Sequence, residues 1–172
     1  MNLQNMDMKH VALLRGINVG GHRPVPMSAL RATFEGLGSS EVQTYIQSGN
    51  VVFEADAPEV ELIEAAIEKE FGFRVDVILR SAAGWASLDA RNPYTQEADG
   101  TRVHVAFLNT VPDPAQIVTI RARPGNVWTV SGREVYLHTP DGLGQSGLNL
   151  GQLKHATVRN WRTVQRLAQL LS

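Results

Sequence analysis

Apolar and polar positions along this chain fall into two periods. Val11, Ala12, Leu13 and Leu14 form an unbroken apolar run of the length a buried central strand needs, so a strand is expected from His10 to Ile17, with Gly16 marking its end. Beyond the loop 18–24, Met27, Leu30, Phe34 and Leu37 recur at helical spacing, and Gly38 is placed to cap that helix. Val42–Gln47 and Val51–Ala55 are rich in β-formers and flank Ser48-Gly49-Asn50, a hairpin signal. Asp56 is expected to cap a second helix with Pro58 in its first turn. Val60, Ile63, Ile67 and Phe71 form the inner face of that helix, and Gly72 stops it. Val75–Leu79 is the next strand. The order β-α-β-β-α-β over about 80 residues is that of a split βαβ plait.

The second half repeats much of that order. Ser81 is expected to cap a short helix carrying Trp85 and Leu88, ended near Asn92-Pro93. A strand over Val103–Leu108 follows, then a helix opened by Asp113-Pro114 with Ile117 and Ile120 inside, then Val127–Val130 paired with Glu134–His138 across Ser131-Gly132-Arg133. A Gly-rich segment, Asp141–Gly151, leads to a last helix with Trp161, Val164, Ala168 and Leu171 on one face. No residue-level repeat is visible between the halves, so duplication is expected in element order alone. The expected fold is α+β: two ferredoxin-like alpha-beta plait subdomains in tandem with antiparallel sheets, the first over 9–80 and the second, with the C-terminal helix, over 81–172.

Composition narrows the classes. The 172 residues are 43% hydrophobic and 19% charged, near the globular average, and 16 Lys+Arg against 17 Asp+Glu exclude a whole-chain polycation. With no cysteine, disulfides, thiolate nucleophiles and cysteine-bound zinc or iron–sulfur centres are excluded. Met1–Met8 is polar, and no stretch approaches the roughly 18 apolar residues of a membrane span, so a soluble, untargeted, cytoplasmic protein with no membrane partner is expected. Charge is nevertheless segregated. Met8–Phe34 holds Lys9, Arg15, Arg23 and Arg31 with no acid, and Gly142–Ser172 holds Lys154, Arg159, Arg162 and Arg166 with no acid, whereas Glu41–Glu70 has eight acids against Lys69. The acidic run reads as a solvated helix face and the basic segments as an anion-attracting surface if they meet.

Three segments are more particular than periodicity requires: Leu13-Leu14-Arg15-Gly16-Ile17-Asn18-Val19-Gly20-Gly21, Tyr45-Ile46-Gln47-Ser48-Gly49-Asn50-Val51-Val52-Phe53, and Arg159-Asn160-Trp161 followed by Thr163-Val164. In these motifs, and in Tyr136 with Pro140-Asp141-Gly142 and Gly144-Gln145-Ser146, the chain resembles the bacterial family known as domain of unknown function 1697. The resemblance implies two ferredoxin-like plaits in one chain and no established activity.

Topology places the first two motifs together. In an antiparallel plait, strands one and two run the same way with strand three between them, so Arg15–Arg23 and the hairpin Gln47–Asn50 share one sheet end. Gly admits close backbone approach, and Arg forks onto phosphate or carboxylate. The candidate ligand-binding residues are therefore Arg15, Asn18, Gly20, Gly21, Arg23, Gln47, Ser48, Gly49 and Asn50, joined by Ser146, Arg159 and Asn160 from the C-terminal half. Turn-forming roles for the glycines and Asn50 and an internal ion pair for Arg15 stand beside this reading, and helix capping by Thr157 or Asn160 is the favoured one there, which leaves Arg159 the stronger ligand claim. Gly142-x-Gly144-x-x-Gly147 is no dinucleotide fingerprint, since no acid follows Asp141. His10, His22, His104, His138 and His155 show no metal-ligand spacing, so neither a metal nor a cofactor is expected, and no catalytic residue is assigned. The leading expectation is a small anionic ligand, phosphate-bearing or nucleotide-like, held in a cleft between the plaits. An interaction module that dimerises through an edge strand ranks second. Single-stranded nucleic acid ranks third, because strand three offers a single aromatic, Phe53, for base stacking.

Overall fold

The computed structural model describes residues 8–96 and 99–172; the untargeted reading of the first residues thus falls almost wholly outside it. The elements are β1 (Lys9–Leu14), α1 (Met27–Gly36), β2 (Ser40–Tyr45), β3 (Asn50–Glu54), α2 (Val60–Phe71), β4 (Val77–Ser81), α3 (Ala82–Ala86), α4 (Leu88–Arg91), β5 (Val103–Phe107), α5 (Pro114–Ile117), β6 (Val127–Ser131), β7 (Glu134–His138), β8 (Thr157–Asn160) and α6 (Trp161–Leu171). Two short 3₁₀ turns, Leu143–Gln145 and Gly151–Leu153, lie between β7 and β8. The chain divides into one compact unit that ends at Ala86 and takes in Leu167–Ser172, and another over Ser87–Arg166. Among the described residues no helix is long and apolar enough to cross a membrane.

In the first unit four antiparallel strands run β2-β3-β1-β4, the order of a split βαβ plait. One face of that sheet carries Ala12, Leu14, Val51, Phe53 and Val77, on which α1 sets Leu30 and Phe34 and α2 sets Ile63 and Ile67. The acidic face of α2 follows from this spacing, since its glutamates lie where the apolar residues do not. Two local expectations fail. Asp56 does not cap α2: the chain turns at Ala57 (φ 43°), and the helix begins after Glu59, which has extended backbone and makes no side-chain cap. Strand β2 ends at Tyr45 and not Gln47, because Ile46 turns left-handed (φ 52°) to open a four-residue loop.

The second unit has the matching order β6-β7-β5-β8. Ala106, Leu108, Ile120, Val135, Leu137 and Leu153 form its core, and the 3₁₀ turns of the Gly-rich segment stand where the first unit has α2. The helix expected after Asp113 is present, with a capping box between Asp113 and Gln116, but it is a single turn that ends at Ile117 and leaves Ile120 outside it. Strand β8 was not expected; its four residues abut a helix and read as a capping segment. Both descriptions hold, since Asn160 pairs with His104 in the sheet while its Oδ1 accepts from the Thr163 N–H at 2.9 Å.

Superposing the two registers overturns the expectation that duplication stops at element order. His10-Val11-Ala12-Leu13-Leu14 and His104-Val105-Ala106-Phe107-Leu108 occupy the same central-strand positions. Val11 faces Arg80 as Val105 faces Arg159, and each arginine donates to the carbonyl of its preceding residue at 3.0 Å. The Leu14 and Leu108 N–H groups bond the hairpin carbonyls of Gly49 and Arg133, each at 2.9 Å. Five residues with one aromatic exchange are too short a repeat to stand out until the strands are paired.

Candidate functional site

Strand β1 delivers Arg15 to the end of the first sheet. There its N–H donates to the Asp76 carbonyl (3.1 Å), and the Leu14 N–H holds the β2–β3 hairpin. The loop from Arg15 to Pro26 is shaped by one side chain. Asn18, itself left-handed (φ 54°), donates from Nδ2 to the carbonyls of Val25 (3.0 Å) and Gln47 (2.8 Å), and its Oδ1 accepts from the Val25 N–H at 2.7 Å. The loop is thereby pinned to its own return and to the hairpin. At its tip, Val19–His22 is a tight turn closed by the His22 N–H on the Val19 carbonyl (2.9 Å), with Gly20 and Gly21 both at positive φ. A Cβ at either glycine would meet nothing within 4 Å, so the tip stands open.

Gly49 has a different reason to be glycine. Its φ is +92°, and a Cβ there would lie 2.8 Å from Ile17 Cδ1 and 2.9 Å from Leu14 Cβ, so loop and hairpin pack in direct contact. Asn50 is fully buried and donates to the Tyr45 carbonyl (2.8 Å) and to Ser48 Oγ (3.2 Å), fastening the turn from inside. The nine candidates of the first unit thus share one sheet end, as the strand directions required.

Three residues of this end, Phe73, Arg74 and Asp76, escaped the sequence reading. Arg23 donates to the main-chain carbonyl of Arg74 and lies over the Phe73 ring, 5.1 Å from its centroid. Asp76 sits 3.7 Å from the Arg15 guanidinium and 3.8 Å from that of Arg74. The signal was available: β4 runs antiparallel beside β1 with Leu14 opposite Val77, so the residue after one strand must face the residue before the other. Behind them the Val77 N–H donates to Glu64 (3.2 Å), whose pKa is raised mainly by burial, with the Asp76 charge adding to it against the lowering effect of that hydrogen bond and of Arg74.

The candidates of the second unit are held by that unit's own bonds. Ser146, buried, donates from Oγ to the Leu143 carbonyl (2.6 Å) and accepts from the Leu148 N–H (3.1 Å). Arg159 lies in β8 opposite Val105, and burial pushes its guanidinium pKa down to about 10. Asn160 caps α6.

Comparison with curated proteins gives no match. Among solved structures, the chain is similar to a conserved bacterial protein, SP0830 from Streptococcus pneumoniae, at 23% identity and a TM-score of 0.78, over 96% of this chain and 99% of that one. The likeness shows a shared fold. The sequence model of the proteins of unknown function DUF1697 matches residues 8–136, which takes in the loop, the hairpin and both central strands, and with three quarters of its length so matched the chain belongs to that family.

Proposed function

We propose that the loop end of the first sheet binds a small anionic ligand, phosphate-bearing or nucleotide-like. The observation that carries this reading is the imbalance of charge there: Arg15 and Arg74 both pair with Asp76, and Arg23 is bonded to the Arg74 carbonyl, so three guanidinium groups gather against Asp76 and, behind it, Glu64. Both ion pairs to Asp76 are long, and each partner is at least 40% exposed, so they contribute about 0–1 kcal/mol and yield readily to a better acceptor. A phosphate oxyanion is such an acceptor, because two of its oxygens match the guanidinium fork. The open Gly20–Gly21 tip lets a ligand come close to the backbone, and Asn18 keeps the loop in place before binding occurs.

Thermal unfolding and calorimetry with inorganic phosphate, pyrophosphate and nucleoside diphosphates test the proposal. A ligand at free concentration L that binds the native chain alone stabilises it by RT ln(1 + L/Kd), so the melting temperature rises with ligand concentration. The rise is expected to vanish in Arg15→Ala and Arg74→Ala. No rise beyond that given by sodium chloride of equal ionic strength, or a rise that both variants keep, defeats the reading. A larger, steeply salt-dependent response to single-stranded oligonucleotides would replace it with nucleic-acid binding.

A further inference from the structure

The second sheet has an edge unlike the other three. In a two-residue hairpin the pair flanking the turn exchanges both hydrogen bonds, and the pattern then alternates along the ladder. Across Gly132-Arg133 the pairs are Ser131 with Glu134, Thr129 with Tyr136 and Val127 with His138, so these residues of β6 direct their main-chain groups at β7. Trp128 and Val130 direct theirs away. The same parity holds on β7, where the Arg133 carbonyl accepts from Leu108 on the β5 side. Among the described residues nothing bonds the outward N–H and C=O groups of Trp128 and Val130.

Sheets protect such edges with charge, proline or bulges. Strand β2 has a register shift between Ser40 and Gln43 and a left-handed glutamate, Glu41 (φ 49°), inside it. Strands β4 and β8 each carry a buried or half-buried arginine, Arg80 and Arg159. Strand β6 is Val-Trp-Thr-Val-Ser, with no charge, no proline and no register shift, and its Val127 is 48% exposed. We propose that β6 is a self-association edge, on which a second copy of this chain pairs antiparallel about Thr129. Trp128 then exchanges both bonds with Val130 of the partner subunit, and Val130 with the partner subunit's Trp128. Thr129 lies on the two-fold axis, so the contact closes as a dimer and cannot propagate. A second copy fits better than a foreign peptide because each strand presents to the other the same aromatic-on-β-branched pair, twice. Trp128 and Val130 already pack on the core of Ala106, Val135 and Leu137, and pairing continues that apolar layer across the axis.

Sedimentation of the full chain across a concentration series tests this, together with hydrogen exchange of the Trp128 and Val130 amides. The expected result is a shift from 18.8 kDa toward twice that mass, with both amides exchanging more slowly as concentration rises. Val130→Pro removes an outward N–H without breaking the hairpin ladder, and Thr129→Lys sets two like charges face to face; each is expected to return the chain to monomer. Thr44→Lys on β2 is expected to leave the dimer unchanged. Should Val130→Pro lose its native circular dichroism, Thr129→Lys decides. A monomer at every concentration, or a dimer that survives Thr129→Lys with the two amides exchanging at an unaltered rate, overturns the proposal.

Discussion

Some polar side chains withdrawn from solvent shape this chain, and others are left unsatisfied. Asn18 and Asn50 spend their amides on backbone carbonyls and so fix a loop and a turn, roles that composition alone cannot separate from ligand contact. His104 differs. It is 8% exposed, its Nδ1 has no hydrogen-bond partner among the described residues, and burial lowers its pKa, whereas its counterpart His10 is bonded to the Ala55 carbonyl at 3.2 Å. A lowered pKa means that the folded chain binds fewer protons than the unfolded chain between the two values. The neutral ring therefore supports the fold above the unfolded pKa, and that support is lost as pH falls through the folded one. As pH falls below the ordinary histidine pKa of about 6.5, the melting temperature is expected to fall, and to fall less steeply in His104→Asn, with at most ~1.4 kcal/mol per pH unit attributable to this one proton. Equal slopes in the two proteins would show that His104 titrates alike folded and unfolded.

Most elements were legible in the sequence because each buries a face with its own period: the apolar run of β1, the 3.6-residue spacing of α1 and α2, and the hairpin flanked by valines. Boundaries were less so. The chain leaves β2 at Ile46 and delays α2 past Asp56 through left-handed non-glycine residues, Ile46 and Ala57, whose types do not announce that conformation. Strand β8 was hidden because Asn160 serves sheet and helix cap at once. At the site, the glycines were legible as a group but not by role. Gly20 and Gly49 both have positive φ, yet one faces open space and the other abuts Leu14 and Ile17. Gly49→Ala is expected to cost about 2–4 kcal/mol in urea unfolding, from backbone strain together with the clash, and Gly20→Ala about 1 kcal/mol, from backbone strain alone. Similar losses for the two would mean that the loop does not press on the hairpin.

The whole molecule repeats one sheet plan and then specialises each copy. The His-Val-Ala strand core, the arginine on the fourth strand and the leucine-to-hairpin bond recur in both sheets, which share one strand order, while the segments at the sheet ends differ. The registers make the divergence specific. The position of Arg15 is taken by Asn109 in the second unit, and that of Asp76 by His155, while no Gly-Gly tip follows Asn109. The buried Asn50 of the first hairpin is matched by Glu134, whose carboxylate is held by Arg91 at 2.5 Å and so fastens α4 to the sheet. Among the described residues, the charge imbalance proposed to attract an oxyanion therefore has no duplicate, although the sheet that displays it does. Calorimetric titration with pyrophosphate is expected to give one site per chain, abolished as a whole by Arg15→Ala. Two sites of like affinity, or a single site indifferent to Arg15, would place binding on what the units share and not on the loop that distinguishes them.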